Sequence, residues 1–155
     1  MVMCMIIDDF KEILERFPEE RKKPIKNNEL AYKMRNDFTK DFEDFVFDST
    51  SNSDKYSVKI SPGMGTWTNR PWAGIKNSDA TNTFQEGLYL IYIFNLDENG
   101  FYLSLDQGND TSVKFQRNIS NYLINIVKNN LSAPLGFVSD KTKLYESTIL
   151  SLSNK

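Results

Sequence analysis

The chain has no histidine among its 155 residues, and this absence removes more chemistry than any single residue present suggests. Without imidazole, Ser-His-Asp and Cys-His nucleophilic arrangements cannot form, and zinc would be left with one thiol and carboxylates. Cysteine is nearly as scarce. Cys4 stands alone, so no internal disulfide is possible, which fits a reducing compartment and a thiol that serves as a small apolar side chain. No Gly-Lys-Ser or Gly-Lys-Thr triplet occurs, which excludes a Walker A loop. Gly63-Met64-Gly65 lacks the third glycine and the following helix of a dinucleotide-binding turn. Long apolar runs are missing too: MVMCMII stops at Asp8 and has no basic residues before it, so it reads neither as a signal peptide nor as a membrane span. The expected location is the cytoplasm, and hydrolytic and metal enzymes are poor fits.

What is present is ring-rich. Hydrophobic residues make up 39%, charged residues 26% and aromatics 13%, with eleven Phe and seven Tyr to fill one core. The length suits a single domain over 1–155. A net charge of −2 argues at first against a partner made of phosphates, but the charge is unevenly spread. The acidic excess sits before residue 55. From Lys55 to Ser78 the cations Lys55, Lys59, Arg70 and Lys76 meet no carboxylate, and the same holds for Lys114, Arg117 and Lys128 between 111 and 139. Either window suits an anion, or is an ordinary solvated face.

Ile6, Phe10, Ile13, Leu14 and Phe17 recur at helical spacing up to Pro18, which is expected to end a first amphipathic helix. The charged connection EERKKPIKNN follows, and a basic loop of this kind is ordinarily only solvated. Asn28 is placed to cap a second helix whose Leu30, Met34, Phe38, Phe42 and Phe45 advance mostly by four, a stripe meant for a core. The helical part is thus 1–47, and a polar stretch leads into a sheet-rich region, 55–108. There Tyr56 to Ile60 alternates with period two, Trp72 to Ile75 forms a short strand, and Gly87 to Phe94 is apolar enough for a central strand on which Tyr89, Ile91 and Ile93 share one face. The sequence DENG at 97–100 predicts an Asn-Gly hairpin to Phe101–Leu105. A long helix is expected over 111–130, and 135–155 reads as a strand followed by a terminal helix around Leu144–Leu152. The resulting fold class is α+β: a twisted, largely antiparallel sheet from residues 56–106, with the N-terminal helices and the 111–130 helix packed on it.

The stretch from Ser61 to Gly108 carries the functional signal. Trp67 and Trp72 suit a core or a stack on a planar ligand equally well. Asp97, Glu98 and Asp106 near the hairpin are acids of a kind that is ordinarily just solvated. Taken together, SPGMGTWTNRPWAGI, GLYLIYIFNLDENGFYLSLDQG and LYESTILS, in this order, resemble the N-terminal domain of McrB-type modification-dependent restriction proteins. The family pattern, Gly-x-Gly-x-aromatic, Pro-Trp, Gly-x-Tyr and Tyr-Leu-x-Leu-x-Gln-Gly, falls on Gly63, Gly65, Trp67, Pro71-Trp72, Gly87, Tyr89, Tyr102-Leu103, Leu105 and Gln107-Gly108.

This resemblance implies a non-catalytic module that recognises modified cytosine in double-stranded DNA by flipping the base into a pocket. It implies Trp72 and Tyr89 as aromatic pocket walls, Ile93 as an aliphatic one, and a wedge loop of Gly63, Met64 and Gly65, with Met64 where a member of the family carries tyrosine. Lys59, Arg70 and Lys76 are expected at phosphates, and Trp67 is a further candidate. Expected partners are a C-terminal AAA+ GTPase domain and a separate nuclease subunit; no cofactor, metal or membrane is expected. A protein- or small-ligand-binding sensor module, suggested by the acidic total charge and the Met64-Trp67 pair, is the alternative.

Overall fold

The computed structural model describes residues 2–51, 53–79, 82–85, 88–107, 137–140 and 150–154. Among the described residues, three α-helices precede the sheet: α1 (Val2–Glu20), α2 (Glu29–Arg35) and α3 (Asp37–Ser49). The six strands described are β1 (Tyr56–Ser61), β2 (Trp72–Asn77), β3 (Leu88–Asn95), β4 (Gly100–Gln107), β5 (Phe137–Asp140) and β6 (Leu150–Asn154). They form one sheet in the order β1-β2-β3-β4-β6-β5, with every neighbouring pair antiparallel. The α+β class and the antiparallel sheet are as the sequence suggests.

Several boundaries differ. α1 runs through Pro18 to Glu20 instead of stopping there. A proline in the last turn deletes only one backbone hydrogen bond, and the fully buried Phe17 beside it holds the turn against the core. The expected second helix is two helices that meet at Asn36, whose ψ of −74° turns the chain between them. Thr39 stabilises this break: its hydroxyl donates to the Met34 carbonyl at 2.7 Å and accepts from the Ile60 amide at 3.1 Å, which also hooks α3 to β1. The hairpin between β3 and β4 is present; Asn95 faces Gly100, so the loop is the four residues 96–99 and Gly100 opens β4. Asn99 takes the left-handed conformation (φ 51°), and the Asn95 side chain accepts from the amides of Asp97 and Glu98. The C-terminal end also departs from expectation: Leu150–Asn154 is a strand that pairs with β4, where a terminal helix was expected. The expected helix over 111–130 lies outside the described residues.

The helical layer covers one face of the sheet. Ile13, Phe17, Leu30 and Met34 are fully buried, and they join Ile60, Ala73 and Phe94 from the strands in one core. Phe10 is its hub, with its ring 4.9 Å from Phe94, 5.6 Å from Tyr92 and 5.8 Å from both Phe42 and Phe101. Three of these are edge contacts and the one to Phe42 is tilted, arrangements that suit rings better than flat stacking does. The capping signal at Asn28 is real: its side chain accepts from the Ala31 amide at 3.1 Å and donates to Glu20 at 2.7 Å, which ties the end of α1 to the start of α2. Between the helices, Lys33 (2.7 and 2.9 Å) and Arg16 grip Glu12. Burial opposes the ionisation of Glu12, but these two cations outweigh it and hold the carboxyl below its usual range.

Candidate functional site

Strands β1 and β2 are joined by the loop from Pro62 to Pro71, in which Gly63 is sterically required and Gly65 takes a backbone conformation that favours glycine. Gly63 has φ +122°, and a Cβ there would lie 2.1 Å from the Thr66 carbonyl oxygen and 2.6 Å from the Thr68 nitrogen. Gly65 has φ +74° and open space around it. The Thr68 amide donates to the Pro62 carbonyl at 2.9 Å and closes the turn. The loop is then tied down from the helical side. Arg35 of α2 donates to the Gly63 carbonyl at 2.8 Å, and Arg21, just past α1, donates to the Asn69 side chain at 2.9 Å and to its carbonyl at 3.3 Å. Trp67 supplies the deepest anchor: its Nε1 donates to the Lys23 carbonyl at 2.7 Å, and its ring stands edge-on to Phe17 at 5.1 Å. Of the two readings open for Trp67, the structure places it against the core. Met64, between the two glycines, points away from all of this and is 85% exposed.

The sheet face opposite the helices carries the remaining candidates. Register pairs Trp72 with Ile93, Gly74 with Ile91 and Lys76 with Tyr89, so all six positions share that face. Ile93 and Ile91 are 1% and 4% exposed and form its floor, while Trp72 and Tyr89 are half-buried above it. Phe84, from the connection between β2 and β3, joins the two rings: its centroid lies 5.4 Å from Trp72 and 5.3 Å from Tyr89. It can do so only because residue 74 is glycine. A Cβ there would meet Phe84 at 2.6 Å and Trp72 at 3.0 Å. A glycine inside a strand marks such a close approach, and this was the one signal in the sequence that could have located Phe84.

The cations do not form one group. Lys59 faces Gly74 across the β1–β2 pair, with its ammonium 5.9 Å from the Trp72 ring centroid, near the outer limit of a cation–π contact. Lys76 sits at the far end of β2, opposite Tyr89. Arg70 precedes β2 and belongs to the other end, beside the loop. Lys55 pairs with Asp79 at 3.3 Å, which closes part of the window that looked free of carboxylates in sequence. Among the described residues, no group of three or more Cys, Asp or Glu side chains is arranged to hold a metal ion, and no helix is long and apolar enough to cross a membrane.

Residues 12–152 match the family model described as "MrcB-like, N-terminal domain". The chain belongs to this family. The matched span includes the Gly63–Arg70 loop, the Trp72–Tyr89 face and, of the described strands of the MrcB-like domain, β1 to β5 and the start of β6. Membership places it among DNA-binding modules of the kind found in restriction systems. Searches of curated proteins and of solved structures find no match.

Proposed function

We propose that this MrcB-like domain recognises modified cytosine in duplex DNA by flipping the base out of the stack, and that it serves as the specificity module of a GTP-dependent restriction system whose motor and nuclease lie on other domains or subunits. The observation that carries the reading is the pairing of β2 with β3. It puts Trp72, Gly74, Tyr89 and Ile93 on one face, next to a braced loop that holds an apolar side chain outward. Base extrusion needs both parts: a wedge for the vacated stack and an apolar, ring-lined slot for the extruded base. In this reading Met64 is the wedge, Trp72 and Tyr89 are the walls, Ile93 lies beneath them, and Lys59, Arg70 and Lys76 meet phosphates. Phe84 fills the space over Gly74, so an incoming base takes the place of its ring.

That filled slot also favours a second reading, a protein-binding module whose contact residue is Met64. Titration of matched duplexes carrying cytosine, 5-methylcytosine or 5-hydroxymethylcytosine separates the two. Under the first reading a modified duplex binds more tightly, and Trp72→Ala weakens that preference by about 1–3 kcal/mol, the scale of one base–aromatic stack. Phe84→Ala, which empties the slot, strengthens binding to the modified duplex. Equal affinity for all three duplexes, or an unaffected preference in a folded Trp72→Ala protein, would sink the flipping reading.

A further inference from the structure

The charged connection after α1 reads in sequence as a solvated basic loop, but it lies directly under the Gly63–Arg70 loop. Between the two is a cleft of about 370 Å³. Phe94, fully buried, is at its base, and Arg21, Lys22, Asn69 and Arg70 line it together with one acid, Asp97. Cations from two separate parts of the chain thus converge on one cavity.

The cations of the helical layer are paired unevenly. Elsewhere in the helical layer Lys11 pairs with Asp8, Arg16 with Glu12, Lys23 with Glu20 and Lys33 with Glu12. Arg21 instead donates to the amide and carbonyl of Asn69, neutral acceptors that leave its charge uncompensated. Among the described residues the Arg70 guanidinium has no hydrogen bond or ion pair, although the Arg70 backbone is fixed on both sides by the Thr68 hydroxyl. Lys22 pairs with Glu19 at 2.6 Å, but both side chains are mostly exposed, and such a pair yields readily to a stronger anion. Cations near the end of α1 complement its dipole, yet Arg70 comes from the loop, which the dipole does not explain.

We propose that this cleft is a binding site for a backbone phosphate of a nucleic-acid strand passing beside Met64, held by Arg21, Lys22 and Arg70. The proposal rests on the DNA-binding reading but not on base flipping or on the modification. It keeps Arg70, already assigned to phosphate, and adds Arg21 and Lys22 from the junction of α1 and the loop. A phosphate that bridges α1 and the loop would fix the strand at the base of the wedge.

The test is the salt dependence of binding to one short duplex, with and without 5-methylcytosine, between about 50 and 200 mM NaCl. Arg70→Ala and Lys22→Ala should each flatten the slope of log K against log[salt] by about 0.9, and each should cost about tenfold at the lowest salt, equally for both duplexes. Lys11→Ala, in the first half of α1, should leave the slope unchanged. Slopes for Arg70→Ala and Lys22→Ala equal to that of Lys11→Ala would overturn the proposal. So would a wild-type protein that binds no duplex at low salt yet saturates with millimolar inorganic phosphate, since the cleft would then hold a small anion. If the wild type binds both duplexes equally and the slopes still flatten, the phosphate site stands and only the modified-cytosine reading fails.

Discussion

Gly63→Ala tests the loop most directly, because its cost can be worked from contacts that cannot relax. The new methyl would sit 2.1 Å from the Thr66 carbonyl oxygen and 2.6 Å from the Thr68 nitrogen, both backbone atoms with no rotamer to escape into. The native φ of +122° lies in a region closed to side chains, a strain of about 1–3 kcal/mol. Relief requires opening the turn, which gives up the Thr68–Pro62 hydrogen bond, worth about 1 kcal/mol, and part of the Trp67 anchorage. The total is about 3–4 kcal/mol, reached only if the loop cannot open apart from the rest of the domain. Gly65→Ala is the control: φ is +74° with nothing within 4 Å, so its cost should be about 1 kcal/mol. Urea unfolding followed by tryptophan fluorescence reads both variants; at a typical slope near 2 kcal/mol per molar, the Gly63 midpoint should fall by about 1.5 M and the Gly65 midpoint by about 0.5 M. Two midpoints that coincide would refute the steric argument and, with it, the claim that the loop is held rigid at its base.

Other predictions follow from the same geometry. Trp67→Phe keeps a ring on Phe17 but removes the donor to Lys23, so it should cost about 1 kcal/mol in unfolding and weaken duplex binding by no more than that; a large loss of binding with no change in stability would instead make Trp67 a contact residue. Asp9 offers a pH test. Burial first, and then the charge of and a hydrogen bond to Asp41, raise its carboxyl to about 7, and its buried Oδ2 is otherwise without a partner, so in the folded protein Asp9 is protonated where the unfolded chain is ionised. The folded pKa lies above the unfolded one, so this contribution to stability is fully present below about pH 4 and is lost as pH rises through about 7. Asp9→Asn should flatten the stability curve across that window and gain about 1 kcal/mol over wild type at pH 8, a small fraction of a dry-interior value because Asp9 is only half-buried. Parallel curves for the two proteins would contradict it.

How much of this was legible in the sequence depends on whether a feature is periodic. The core stripe of the helices and the shared face of Tyr89 and Ile93 follow from spacing alone, and both are present. The break at Asn36 was hidden because Leu30, Met34, Phe38 and Phe42 keep their spacing of four across it; the cause is Thr39 bonding to β1, a tertiary contact that no local pattern contains. Leu150–Asn154 was misjudged for a related reason. Short apolar runs suit either structure, and pairing with β4 decides between them. At the site, the glycine loop and Trp72 stood out in the sequence, whereas Phe84 and Arg21 act from segments with no periodicity and no motif, and the periodicity of α2 marks its apolar face and not Arg35.

The tethers of the glycine loop have one further consequence. Because Arg21, Lys23 and Arg35 hold it from the ends of α1 and α2, the loop and the helical layer share a single free-energy account. Ligand bound at the loop should therefore slow amide exchange in the last turn of α1, on the other side of the sheet from Trp72. Conversely, a lesion that only loosens Phe17 should weaken recognition without touching the ligand.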